Sequence, residues 1–211
     1  MKKPKRIRSR GGLSPNKYLS DEQIKQLRSY LARKVNEAIL CGRWPIRPFI
    51  NAMIVDLLLN SGLRAAELCD LQLRDLPGYH GKSIIDVREG KGRIQRSIVI
   101  SDVLTERLKK YIKLHRHAAK PKSYLFTNEQ NRGRLSPASL RSKLRIIGFF
   151  ANVGQLNPHR FRHTYATHLY KSCQDLVFVG DQLGHKNPKT TAIYAKIASD
   201  LRQKFANGFD L

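Results

Sequence analysis

The sequence predicts an α+β fold that is mainly helical and has a small antiparallel sheet of three strands. Three observations lead to this prediction: apolar residues recur at helical spacing, capping residues precede several of these runs, and two short β-rich segments flank a glycine-containing turn. With 211 residues, 41% of them hydrophobic, the chain can bury the core of one domain. No run of about 18 uninterrupted apolar residues occurs, and we therefore predict no membrane span.

The first 18 residues are rich in Lys and Arg and poor in apolar residues. They are predicted to form a flexible basic arm ahead of a domain at 19–211. Ser20 is a helix-capping residue, and Gln23 three positions later completes a capping box. Apolar residues then continue at helical spacing from Ile24 to Ile39, which predicts the first helix.

A nearly all-apolar segment at 49–61 predicts a second helix, buried in the core. Pro45 and Pro48, just before it, are predicted to break the chain. Gly62 ends this helix, and a short third helix is expected at 64–71. The chain from the end of the arm to residue 71 is therefore predicted to be mainly helical.

The middle of the chain is predicted to be extended. Segments 83–87 and 97–100 read as a hairpin around a turn at 89–93 that contains two glycines. A third strand is predicted at 124–126. Ser101 caps a helix that lies between the hairpin and this strand.

Four further helices are predicted after Arg134 from their starting residues. Three of these starts pair a capping residue with a proline at the first helical position, and the fourth has an aspartate alone. The starts are Ser136-Pro137, Asn157-Pro158, Asp175 and Asn187-Pro188.

The charge of the chain points to a polyanionic partner. Lys and Arg number 40 against 16 Asp and Glu, which gives a formal net charge of +24. From Arg107 to Lys171 there are fifteen Lys or Arg residues and one carboxylate, Glu129. Nucleic acid is the common partner of so basic a chain, although charge alone fits a ribosomal or chromatin protein as well as an enzyme.

Two patterns that suggest cofactor chemistry fail on inspection. Gly81-Lys82-Ser83 ends like a phosphate-binding loop, but Leu76 stands where that loop needs a glycine. His159 and His163 have zinc-protease spacing, but arginines and no glutamate lie between them. Carboxylates are also too few in this region for a two-metal nuclease. No metal and no other cofactor are predicted.

Four motifs in order carry a family resemblance. They are Gly62-Leu-Arg64-Ala-Ala-Glu67-Leu68, Gly90-Lys91-Gly92, Pro158-His159-Arg-Phe-Arg162-His163-Thr-Tyr-Ala166-Thr167-His168-Leu169, and Leu183-Gly-His185 followed nine residues later by Tyr194. The series resembles the catalytic domain of tyrosine recombinases, the phage integrase family, over roughly residues 20 to 206. Because little sequence precedes Ser20, the chain is most similar to the short, single-domain members.

This resemblance implies six catalytic residues. It makes Arg64 and Arg162 the arginines that grip the scissile phosphate, and Tyr194 the nucleophile that forms a 3′-phosphotyrosyl bond without metal or ATP. Forked guanidiniums suit this task because attack adds negative charge to the phosphate oxygens. His159 is expected to accept the tyrosine proton and His185 to donate to the phosphate, and the remaining member, Lys91, is expected to protonate the departing 5′ oxygen.

The supporting residues and DNA contacts are further expectations. Glu67 and His163 are expected to support the site structurally. Phosphate contacts without a catalytic duty are expected from Arg93, Arg96, Lys2, Lys3, Lys5, Arg6, Arg8 and Arg10. Taken singly, each of the catalytic candidates also fits a purely structural role, such as a helix cap, a turn lysine or a buried tyrosine.

The resemblance also implies partners. Double-stranded DNA is the expected substrate, bound by a homotetramer on paired sites, and an accessory DNA-binding protein is a further expected partner. A C-terminal tail from about residue 198 is expected to dock on a neighbouring subunit of the tetramer, although packing on its own domain fits the sequence equally well. Three widely spaced cysteines suggest reduced thiols in a cytoplasmic protein, at the nucleoid. Two alternatives stay open: a type IB topoisomerase, and a basic nucleic-acid-binding protein without catalysis.

Overall fold

The computed structural model describes residues 17–42, 46–77, 83–89, 93–128, 133–185 and 191. Within these residues the fold is mainly helical with one small antiparallel sheet, which confirms the predicted class. In chain order the elements are α1 (Asp21–Leu40), α2 (Ile46–Ser61), α3 (Ala65–Asp70), a 3-10 turn (Leu73–Asp75), β1 (Ile84–Glu89), β2 (Arg93–Val99), α4 (Asp102–His115), α5 (Pro137–Phe150), α6 (Pro158–Cys173) and α7 (Leu176–Leu183).

The predicted caps account for most helix starts. The Ser20 hydroxyl accepts from the backbone N–H of Gln23 at 3.2 Å, and the Gln23 side chain accepts from the Ser20 N–H at 3.1 Å, so the capping box is present. Four more predicted caps each accept a backbone N–H of the first turn: Ser101, Ser136, Asn157 and Asp175. The predicted start at Asn187-Pro188 lies outside the described residues.

One predicted boundary and one predicted apolar stripe differ from the structure. Helix α2 begins at Ile46, so Pro48 lies within its first turn and does not break the chain. The N–H groups of a first turn have no acceptor within the helix, and a proline there loses no hydrogen bond. In α1 the apolar stripe leaves the core before the helix ends, because Leu27 and Leu31 are buried while Ile39 is 54% exposed.

The hairpin forms as predicted, but the third strand does not join it. Strands β1 and β2 pair antiparallel, and within the described residues their sheet has two strands. Tyr124 instead makes an isolated bridge to Gln72. The N–H of Leu125 donates to the carbonyl of Leu71 at 2.8 Å, so this segment pairs with the chain just after α3.

The core is built around α2, which packs against α1, α4 and α6. Leu57 and Leu58 of α2 are fully buried, and each such side chain stabilises the fold by about 1.5–3 kcal/mol. A second, smaller cluster, which includes Tyr165 and Leu183, joins α6 to α7. Helix α7 also packs against β2, and its C-terminal end therefore lies beside α3 and the start of α6.

No helix formed by the described residues has both the length and the hydropathy that a membrane span requires.

Candidate active site

A cavity of about 300 Å³ brings together residues from three parts of the chain. Its lining includes Arg64 at the N-terminal end of α3, His159 and Arg162 in α6, and Arg141 in α5. Helix α6 opens at this cavity, with the Asn157 side chain accepting the N–H of Arg160 at 2.9 Å. A helix N-terminus carries partial positive charge, so the cavity suits an anion.

Arg162 is fixed by backbone carbonyls beneath the cavity. Its side chain donates from Nη1 to the carbonyl of Gly62 at 2.9 Å and from Nη2 to the carbonyl of Leu183 at 2.6 Å. The residue is only 6% exposed. A guanidinium has five N–H groups, so one held in this way can still donate to a phosphate oxygen.

The carboxylate of Glu67 fixes both the backbone and the side chain of Arg64. It accepts the backbone N–H of Arg64 at 2.8 Å and Nη1 of the same residue at 2.6 Å. Burial of this carboxyl raises its pKa, but hydrogen bonds from Arg96 and from Arg64 outweigh the burial and bring the pKa down to about 2. Glu67 is therefore ionised at neutral pH, and the structural support expected of it has a physical basis.

Arg96 lies behind the cavity and does not project towards solvent. It donates from Nη1 and Nη2 to the two carboxylate oxygens of Glu67 at 3.0 and 2.9 Å, and its side chain is 8% exposed. Its Nε donates to the carbonyl of Gln182 at 3.1 Å. The expectation that Arg96 contacts phosphate is corrected by these contacts, because its guanidinium is turned inward to a carboxylate and a carbonyl.

The C-terminal turn of α7 unites these arginines. Three successive carbonyls there each accept from a different guanidinium. The last carbonyls of a helix receive no hydrogen bond from an N–H of the same helix, and they carry partial negative charge. Cations are therefore favourable partners for them. The three pairs are Gln182 with Arg96 at 3.1 Å, Leu183 with Arg162 at 2.6 Å, and Gly184 with Arg64 at 3.3 Å.

His185 directly follows this turn and is also anchored. Its backbone N–H donates to the carbonyl of Gly180 at 3.0 Å, and its Nδ1 lies 3.0 Å from the hydroxyl oxygen of Thr191. Burial, then the charges of Arg162 and Arg64, lower the pKa of His185 to about 4. The imidazole is consequently neutral at pH 7.

His159 and His163, one turn apart in α6, have ring centroids 6.5 Å from each other. His159 is exposed, whereas His163 is partly buried. Burial, then the neighbouring His159 and Lys17, lower the pKa of His163. Both rings also line a second, polar cavity of about 640 Å³, in which Arg160 and Lys17 are further basic residues. Among the residues described, no three His, Cys, Asp or Glu side chains are grouped as a metal site would need.

Sequence reasoning missed two residues of this region. Arg141 belongs to the basic tract from Arg107 to Lys171, but its sequence neighbours form no motif that would mark it as a site residue. Thr191 was not considered, although it lies between His185 and Tyr194. Several expected site residues fall outside the described part of the chain: Lys91, Tyr194, Lys2, Lys3, Lys5, Arg6, Arg8 and Arg10. Arg93 lies in β2 at the hairpin end.

Similarity to known proteins agrees with this geometry. The chain is 33% identical to tyrosine recombinase XerA of Pyrococcus furiosus over 147 residues, which are 70% of this chain and 50% of that protein. It is 31% identical to tyrosine recombinase XerC of Bacillus licheniformis over 160 residues, covering 73% and 51% of the two chains. The chain thus spans about half the length of the curated relatives it matches.

Solved structures show the same fold. The crystal structure of XerA recombinase superposes with a TM-score of 0.71 at 27% identity, covering 92% of this chain and 65% of that one. The catalytic domain of bacteriophage HP1 integrase gives a TM-score of 0.57 at 20% identity and covers 92% and 94% of the two chains. The family model for the phage integrase family matches residues 17–200, a span that holds the whole arginine and histidine cluster. This chain therefore belongs to the phage integrase family.

Proposed function

We propose that this chain is a site-specific DNA recombinase that cuts and rejoins DNA strands through a 3′-phosphotyrosyl bond to Tyr194. One observation carries the proposal: Arg64 and Arg162 line the same cavity and are each held by fixed protein oxygens. The names of the relatives, tyrosine recombinases that this chain matches over about half their length, support the same activity.

The cavity fits the charge that develops during the reaction. Attack on a phosphodiester gives a five-coordinate phosphorus whose oxygens carry more negative charge than the starting diester. Arg64 and Arg162 are positioned before the substrate arrives, so little reorganisation is needed when this charge appears. His185 is neutral and can donate one hydrogen bond to the same oxygens.

The proposed step exchanges one phosphate ester for another. The phenolic oxygen of Tyr194 attacks phosphorus, and the bond from phosphorus to the 5′ oxygen breaks. His159, exposed at the cavity, takes the phenolic proton, and Lys91 gives a proton to the departing 5′ oxygen. The phosphotyrosyl ester keeps the energy of the broken linkage for rejoining.

The expected substrate, assembly, domain bounds and cellular location form part of the same proposal. The substrate is double-stranded DNA, and strand exchange takes place in a homotetramer on two paired sites. The tail from about residue 198 docks on a neighbouring subunit, the basic arm 1–18 contacts the duplex backbone, and an accessory protein assists site choice. The domain is 19–211, and the protein works in the cytoplasm at the nucleoid.

A suicide duplex nicked beside the cleavage position tests the chemistry. A covalent protein–DNA adduct with the unaltered chain, and none with Tyr194→Phe, is the expected result. Strand exchange between two labelled duplexes then distinguishes recombination from topoisomerase activity, which would relax supercoils without exchange. Duplex binding without any adduct would instead identify a non-catalytic binding protein and would overturn the proposal.

A further inference from the structure

We infer that Thr191 is a positioning residue: its hydroxyl donates to Nδ1 of His185 and holds the imidazole in the tautomer whose Nε2–H can donate to the substrate. This inference rests on the proposed function, since it assigns a specific proton to a group of that site. Nothing in the sequence motifs marks Thr191 for this role.

The contact itself is short and partly buried. Oγ1 of Thr191 lies 3.0 Å from Nδ1 of His185, and Thr191 is only 2% exposed. A hydroxyl enclosed in this way cannot turn to water for a substitute partner, so the pair stays formed. One of the two ring nitrogens is thus committed to a protein group.

Chemistry decides which partner donates. Cationic side chains face His185 from each element packed against it: Arg162 from α6, Arg96 from β2, and Arg64 from the start of α3, with His163 beside them. Partial burial and these charges together keep the ring neutral, and a neutral imidazole has a single N–H.

If that N–H sat on Nδ1, Nε2 would present a lone pair to the phosphate oxygens and would repel them. If the Thr191 hydroxyl donates to Nδ1, Nε2 carries the hydrogen and can stabilise the same oxygens. Only the second arrangement helps an anionic transition state. A carbonyl or carboxylate at Nδ1 can only accept, and would place the hydrogen on Nδ1, whereas the Thr191 hydroxyl can donate and so leave the hydrogen on Nε2.

The fold makes room for this hydroxyl. A Cβ placed on Gly180 would lie 3.2 Å from Oγ1 of Thr191, closer than most real contacts of that kind. The same glycine accepts the backbone N–H of His185. Thr191 and His185 therefore both lie against Gly180 of helix α7. Thr191 precedes Tyr194 by three residues, so the segment that bears the nucleophile also bears the group that orients His185.

Two variants separate the hydroxyl from the shape of the side chain. Thr191→Val keeps the branched shape and removes the hydroxyl, whereas Thr191→Ser keeps the hydroxyl. We expect single-turnover adduct formation on the nicked duplex to slow by about 10- to 100-fold in Thr191→Val and to stay within about threefold in Thr191→Ser. Duplex affinity and thermal midpoint are measured for each variant to separate orientation of the ring from misfolding.

Nitrogen-15 NMR of histidine-labelled protein reads the tautomer directly. The unaltered chain is expected to show a His185 resonance pair with the hydrogen on Nε2, and Thr191→Val a mixture of both tautomers. A hydrogen on Nδ1 in the unaltered chain, or an equal slowing in the valine and serine variants, would overturn the inference. If the unaltered chain forms no adduct at all, the proposed function fails, while the NMR result still decides the Thr191 contact.

Discussion

Arg96 in β2 donates two hydrogen bonds to the carboxylate of Glu67 in α3, at 3.0 and 2.9 Å, and this pair joins the hairpin to the helix that begins at Arg64. Both side chains are largely buried. Removing Arg96 would take two hydrogen bonds from a buried carboxylate and leave it with Arg64 as its remaining cation.

Arg96→Ala is therefore expected to lower the free energy of unfolding by about 2–3 kcal/mol, measured by urea denaturation, because Glu67 keeps its contacts with Arg64. Arg107→Ala provides the control, because its pair with Asp56 is half exposed and is expected to contribute about 1 kcal/mol or less. Equal losses in the two variants would show that the Glu67 pair is not specially important.

Arg162→Lys is expected to reduce the adduct rate by about 100- to 1,000-fold while DNA binding is largely kept. A lysine retains the charge but cannot reach the carbonyls of Gly62 and Leu183 and a phosphate oxygen with one planar fork. Single-turnover rates with saturating nicked duplex test this. A lysine variant as fast as the unaltered chain would mean that charge alone suffices.

Gly62→Ala is expected to destabilise the fold by more than about 2 kcal/mol. Gly62 has a φ of +61°, and a Cβ there would overlap the Tyr165 ring and lie 2.9 Å from Cδ2 of Leu183. Gly42→Ala is the matched control, since Gly42 has a φ of +65° but open space around its Cα, which leaves a strain of about 1 kcal/mol. Thermal denaturation of both variants should rank them in this order, and the reverse ranking would contradict the packing described.

Stability is expected to fall as the pH drops from about 6.5 to 4. In the folded chain the pKa of His185 is about 4, below the ordinary value of 6.5, so the unfolded chain binds more protons in this window. The lowered pKa of His163 acts in the same direction. Urea midpoints measured at several pH values should therefore decline on acidification, with a shallower decline in His185→Gln. An unchanged slope in that variant would contradict a lowered pKa of His185 in the folded chain.

Arg141→Ala is expected to weaken duplex binding and to reduce its salt dependence. With roughly 6–10 phosphate contacts, the slope of log K against log salt is expected to be about −5 to −9. Arg141 lines the cavity beside Arg64 and Arg162, and losing one phosphate contact should reduce the magnitude of the slope by about 1. Filter binding at several salt concentrations gives both numbers. A variant with the slope of the unaltered chain would place Arg141 off the DNA path.

Local chemistry made much of the fold predictable. Ser20, Ser101 and Asn157 begin helices because their side chains replace missing backbone acceptors, and that signal lies within three residues. The pairing of Arg64 with Glu67 is visible for the same reason, since the two stand one helical turn apart.

Long-range contacts could not be read in this way. Arg96 and Glu67 are 29 residues apart, and only the folded chain shows that this arginine turns inward. Every residue has a backbone carbonyl, so the sequence cannot show which carbonyls of α7 accept hydrogen bonds from the arginines. Segment 124–126 looked like a strand because its residues favour one, but its partner is the chain after α3 and not the hairpin.

Three guanidiniums share one turn of α7, and this arrangement ties their fates together. A rotation or withdrawal of that single turn would break one hydrogen bond of Arg64, Arg96 and Arg162 together and would move His185 away from them. Arg64 and Arg96 would keep Glu67, and Arg162 would keep the carbonyl of Gly62, so the seating of one short helix governs how three otherwise tethered cations are aligned with His185.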